Sequence, residues 1–199
     1  MSKITYFFAT ISPYTYLAGL RLEDVANKHG LGIDYRPLDL PALFGRTGGA
    51  VPKERHPNRQ AWRLQELARQ SKMVDLPLNI QPAFWPTNMA PSSYAFISAK
   101  NHGDGDLGAL AHGLTKACWV EEKNIAEADV IADCLRAAGF DASLADKDMM
   151  GSAEEYARNL EDAVTMGAFG APFYITPDDQ RFWGQDSIAA LDLYLSGQF

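Results

Sequence analysis

The chain opens with an unbroken apolar run, Ile4–Thr5–Tyr6–Phe7–Phe8–Ala9, which predicts a strand buried on both faces. Leu17, Leu20, Leu22, Val25 and Ala26 then recur at helical spacing and predict a helix over 13–29, ended by His29–Gly30. Ile33–Asp34–Tyr35–Arg36–Pro37–Leu38 reads as a second strand, giving β-α-β with a parallel, right-handed crossover. From Pro41 to Pro57 glycine, proline and charge replace the pattern, which predicts a long loop. A helix over 58–72 has Trp62, Leu64, Leu67 and Ala68 as its apolar positions. Residues 76–91, with prolines at 77, 82, 86 and 91, read as irregular. Helices follow near 92–101, 107–119 and 125–138, the last ended by Gly139. A further helix over 152–166 is opened by Ser152 and Glu155 as a capping box. The chain closes with short strands over 173–176 and 181–183, a turn between them, and a helix with Ile188, Leu191 and Leu195 inward.

A β-α-β half and a β-β-α half make one four-stranded mixed sheet flanked by helices. The expected class is therefore α/β, a thioredoxin-like domain from residues 1–40 and 166–199 with an all-helical domain, 41–165, inserted between its halves. In that arrangement the end of the first strand meets the residue before Pro172. A cis Ala171–Pro172 bond would present the Ala171 backbone to a ligand; a trans proline opening an edge strand is the alternative.

Hydrophobic residues make up 47 % of the 199 and charged ones 22 %, ordinary for a globular protein. A formal net charge of −7 argues against a nucleic-acid or anionic-membrane surface, though a local cluster of Arg and Lys can override it. No apolar run approaches the roughly 20 residues that span a bilayer. Met1–Ser2–Lys3 runs into the strand pattern without the features of a secretory signal. The two cysteines, Cys118 and Cys134, form no C-x-x-C and read as apolar helix residues, which suits a reducing, cytoplasmic setting.

The candidate chemistry gathers at the first strand–helix junction. Ser12 sits where backbone N–H groups and the positive dipole end are free, and Pro13 suits the first helical turn. A hydroxyl there can stabilise an anion. His29, His56, His102 and His112 have no metal-ligand spacing, Gly103–Asp104–Gly105–Asp106 reads as a turn with an N-cap, and Ser12 lacks the G-x-S-x-G elbow.

The stretches Tyr6–Phe7–Phe8, Ser12–Pro13–Tyr14–Thr15–Tyr16–Leu17–Ala18–Gly19, His56–Pro57–Asn58–Arg59–Gln60–Ala61–Trp62–Arg63–Leu64–Gln65–Glu66–Leu67, Gly167–Ala168–Phe169–Gly170–Ala171–Pro172–Phe173 and Phe182–Trp183–Gly184–Gln185–Asp186 together resemble the 2-hydroxychromene-2-carboxylate isomerase family. That family is related to kappa-class glutathione transferases and disulfide-bond oxidoreductases, and the resemblance covers nearly the whole chain.

The resemblance implies glutathione as cofactor and a small aromatic carboxylate as substrate, isomerised by reversible thiolate addition, in a homodimer. It places Ser12 opposite the glutathione sulfur, as donor to a thiolate. The oxidoreductases carry C-x-x-C where this chain reads Ser12–Pro13–Tyr14–Thr15, so no dithiol cycle is available there. Ala171, before Pro172, would pair its backbone with the cysteinyl unit; Asp186 and Ser187 would take the γ-glutamyl end; Arg59 would meet the glycine carboxylate. Tyr14, Phe84, Trp85 and Asn88 are the implied substrate pocket, with Arg46, Lys53 and Arg55 as loop candidates for the substrate carboxylate. Relatives often read Gly-Asn-x-Pro where this chain has Gly48–Gly49–Ala50–Val51–Pro52, which removes an amide from the implied site. A kappa-like transferase or peroxidase, and a non-enzymatic binding module, remain open alternatives.

Overall fold

Strand β1 (Lys3–Phe8) is central because its side chains feed apolar clusters on both faces of a sheet. The computed structural model describes residues 2–199. After β1 come α1 (Pro13–Ala18), α2 (Arg21–Lys28) and β2 (Gly32–Pro37); β3 (Phe173–Ile175) and β4 (Arg181–Trp183) arrive from the far end of the chain. The sheet order is β2-β1-β3-β4, with β2 parallel to β1 and the other pairings antiparallel. Tyr6 lies opposite Tyr35 and Tyr174, so aromatic side chains line up across three strands.

Between the halves run α3 (Leu40–Thr47), α4 (Pro57–Met73), α5 (Ala90–His102), α6 (Leu107–Trp119), α7 (Ala128–Ala137) and α8 (Met149–Thr165); α9 (Ile188–Leu195) closes the order. Ile4, Tyr6, Phe8 and Tyr174 join residues of α2, α5, α6, α7 and α9 in one cluster. Phe7, Phe173 and Ile175 join Leu43 of α3 and Ala163 of α8 on the other face. Burying each such side chain contributes roughly 1.5–3 kcal/mol. A third cluster, with Ile11, Leu17, Leu67, Trp119 and Ala171, fills the seam between the sheet end and the helices α4 and α6. No helix of the described residues is long and apolar enough to cross a membrane.

Several elements differ from the sequence expectation. The helix expected over 13–29 is two helices, because Gly19 adopts φ 61° and caps α1 through its N–H to the Tyr16 carbonyl. The loop expected over 41–57 begins as α3, whose N-cap Asp39 accepts from the Ala42 N–H at 3.0 Å. Gly48 and Gly49 belong to the end of that helix: Gly48 has φ 80°, and a Cβ on Gly49 would stand 2.6 Å from the Phe44 ring. Helix α8 starts at Met149 and is capped by Asp148, four residues before the expected cap Ser152, which is buried inside the helix. In α4 Leu67 is buried as expected and Leu64 and Ala68 are half-buried, but Arg63 is buried beside them and Trp62 is 54 % exposed. Asp106 caps α6 as expected, accepting from the Ala109 N–H.

Candidate active site at the seam of sheet and helices

Ser12 follows the end of β1 and is 3 % exposed. Its Oγ caps α1 by accepting from the Thr15 N–H at 3.2 Å, with Pro13 completing the first turn. The same Oγ donates its proton to the Ala171 carbonyl at 3.4 Å, a long bond that joins two ends of the chain. The Ala171–Pro172 peptide bond is cis, as is Trp85–Pro86, which the sequence reading did not anticipate. The Pro172 carbonyl is held by the Gly184 N–H at 2.9 Å. The sheet thus brings Ser12, Ala171, Pro172 and the 184–187 turn to one end.

That turn presents Asp186. Gly184 has φ 93°, and a Cβ there would lie 2.6 Å from the Asp186 carboxylate, so only glycine lets the acid fold back over it. Asp186 is exposed and makes no hydrogen bond or ion pair with described residues. Ser187 is engaged within the turn: its hydroxyl donates to the Trp183 carbonyl and its N–H to the Gly184 carbonyl. Of the pair, Asp186 is the group open to a ligand.

Helix α4 forms the opposite wall. Arg59 and Arg63 stand one turn apart on it, and Arg59 is exposed. Arg63 is only 6 % exposed; its guanidinium lies 4.7 Å from the Trp85 ring centroid and 5.9 Å from that of Trp119. The Trp119 indole N–H donates at 3.0 Å to the carbonyl of Ile11, the residue before Ser12. Burial pulls the Arg63 pKa down, Tyr14 opposes this and Arg55 adds to it. Burial raises the Tyr14 pKa, while Arg63 and Arg55 lower it and Glu66 and Asp186 raise it. Arg55 is anchored by the Ala50 carbonyl at 2.8 Å and lies over Phe44; burial and Arg59 both lower its pKa. Among the described residues Lys53, Arg55, Arg59 and Arg63 form no ion pair. In a chain of net charge −7, Arg55, Arg59 and Arg63 form a local cationic group beside Tyr14, two residues from Ser12.

The other expected residues divide. Trp85 is half-buried and packs on Trp119 at 5.5 Å. Phe84 is exposed, and the Asn88 side chain accepts from the Ala90 N–H at the start of α5. Arg46 lies in α3, not in a loop, and is bound to Glu161 on α8, so it is no candidate for the site. Arg63 and Trp119 were not singled out from sequence. The available signal was the spacing Arg59, Arg63, Leu67, a cation on the same helical stripe as a core leucine. Neither cysteine serves the site: burial pushes the Cys118 thiol up to about 12 and the Cys134 thiol to about 11.

Comparison with known proteins agrees with this architecture. The chain is 28 % identical to a 2-hydroxychromene-2-carboxylate isomerase of Sphingobium xenophagum over 196 residues, covering 96 % of this chain and 97 % of the relative. A solved 2-hydroxychromene-2-carboxylate isomerase superposes with a TM-score of 0.80 at 22 % identity, covering 98 % of this chain and 95 % of the other. The cytosolic disulfide reductase DsbM from Pseudomonas aeruginosa, solved with GSH, superposes with a TM-score of 0.73 at 16 % identity, covering 98 % of each chain. The model of the DSBA-like thioredoxin domain matches residues 3–196, the span that carries the sheet, the cis Ala171–Pro172 edge and the helices between. The chain belongs to the DSBA-like thioredoxin domain family.

Proposed function

We propose that this protein is a glutathione-dependent isomerase acting on 2-hydroxychromene-2-carboxylate-type substrates. The observation that carries the reading is Ser12 standing alone, without a thiol, against the Ala171 backbone in a chain similar to isomerases of that name. The residues present fit glutathione: Asp186, free of partners, suits the ammonium, and Arg59, free of ion pairs, suits the glycine carboxylate. When bound, glutathione would supply a thiolate able to add to the substrate's conjugated double bond and to leave again after the ring C–O bond has opened and the resulting single bond has rotated, restoring the double bond in the trans sense.

The chain's own residues prepare this. The Ser12 proton makes only a long bond, 3.4 Å, to the Ala171 carbonyl, and turning it to a sulfur anion exchanges that bond for a charge-assisted one. Arg55 and Arg59, both without ion pairs, favour the anionic form further through their charge. Trp85 and Tyr14 give an aromatic wall that keeps water from the reacting carbon.

The test follows the thiolate absorbance of bound glutathione against pH in the wild type, Ser12→Ala and Ser12→Thr. The expected result is a thiol pKa that rises in Ser12→Ala and is largely restored in Ser12→Thr. An unchanged value in Ser12→Ala overturns the role of Ser12. Product analysis completes the test: isomerisation without net loss of glutathione is expected. Net consumption means a kappa-like transferase, and no binding at millimolar glutathione means a binding module.

A further inference from the structure

A buried cation without an anion is expensive, since an ion removed from water loses several kcal/mol of solvation. Arg63 comes close to this: the residue is more than nine-tenths buried, no described carboxylate, carbonyl or hydroxyl accepts from it, and its nitrogens are left with what solvent still reaches them. Its compensation within the protein is the π face of Trp85 at 4.7 Å and of Trp119 at 5.9 Å. Stacking uses the guanidinium face and leaves the N–H groups at its edge available, which is the geometry for a two-pronged bond to a planar acid. Through Trp119 the group is tied to the Ile11 carbonyl, next to Ser12, and it lies close enough to Tyr14 to alter its ionisation.

We infer that Arg63 is the seat for the carboxylate of an aromatic substrate, with Trp85 and Tyr14 against the ring system, and so imposes a requirement for aryl acids. The assignment deepens the isomerase reading and rests on it for the reaction. The acid is that of the substrate and not of glutathione because the surroundings differ. Arg59, one turn nearer the helix start, is exposed and suits a flexible peptide end; Arg63 is enclosed by indoles and suits a flat aromatic acid. Arg46, bound to Glu161, does not compete.

The experiment compares 2-naphthoate with 2-naphthamide by calorimetry, without glutathione, on the wild type, Arg63→Leu and Arg63→Lys. Melting curves confirm that each variant folds. The wild type should prefer the acid by on the order of tenfold to a hundredfold, Arg63→Leu should lose the preference, and Arg63→Lys should keep part of it. Glutathione affinity, measured separately, should stay within about twofold in Arg63→Leu. Turnover of 2-hydroxychromene-2-carboxylate at saturating glutathione should show a raised KM in that variant. Equal binding of acid and amide by the wild type overturns the inference without any variant. So does a preference that survives in Arg63→Leu. Loss of glutathione affinity matching the loss of naphthoate affinity would assign Arg63 to glutathione and overturns it as well. Wild type that binds no glutathione yet prefers the acid through Arg63 would defeat the isomerase reading while upholding the acid seat.

Discussion

Gly184 and Asp186 divide one task between backbone and charge. The φ of 93° at Gly184 strains any residue with a Cβ, and that Cβ would also strike the Asp186 carboxylate. Gly184→Ala should therefore destabilise the fold by roughly 1–2 kcal/mol, read by denaturant melts, and weaken glutathione binding as well. Asp186→Asn keeps the backbone and removes only the charge. It should leave the melting temperature within about a degree and reduce glutathione affinity on the order of tenfold, read by calorimetry. A Gly184→Ala protein as stable as the wild type would mean that the turn relaxes freely and does not aim Asp186. The sequence singled out Asp186 but assigned Gly184 no role, because a positive φ shows only once the turn is in place. Nor could the role of Arg63 be read, because an arginine in an amphipathic helix reads as a solvated position until the two indoles covering it are in place.

Helices α1 and α2 form an angled pair because Gly19 ends the first and Arg21 clamps the break. The Arg21 guanidinium donates to the Leu17 carbonyl at 2.7 Å and the Ala18 carbonyl at 3.1 Å, two groups that a helix end leaves without partners. Arg21→Met should cost about 1–2 kcal/mol of stability, and hydrogen exchange at the end of α1 should quicken more than in β1. Uniform exchange across both would show that the clamp is not local. The helix break was hidden because Leu17, Leu20 and Leu22 keep an apolar rhythm across it, although Leu20 is exposed. Helix α3 was hidden by composition: glycine, proline and charge dominate 41–57, yet Asp39 and Pro41 are a cap and a first-turn proline. Strands β1, β3 and β4 were legible to within about a residue, since their patterns are short, apolar and bounded by turn residues.

At the scale of the whole molecule, two partly buried titrating groups near the core give its stability opposing slopes with pH. Glu23, bonded by the Tyr35 hydroxyl at 2.8 Å, has its pKa raised chiefly by burial and then by Asp106 and Asp24. The folded state then holds a proton that the unfolded state has released. The Glu23 contribution is full below the unfolded value and is lost as pH rises through the folded one. His112, stacked on Tyr16 at 5.2 Å, has its pKa lowered by burial and then by Lys116. Here the unfolded state binds the proton first, so the His112 contribution is full above about 6.5 and is lost as pH falls below that value. Melting temperatures of the wild type, Glu23→Gln and His112→Gln across pH 4.5–8 separate the two. The wild-type advantage over Glu23→Gln should shrink as pH rises, and its advantage over His112→Gln should shrink as pH falls. Parallel profiles for all three proteins would show that neither group changes its proton binding on folding.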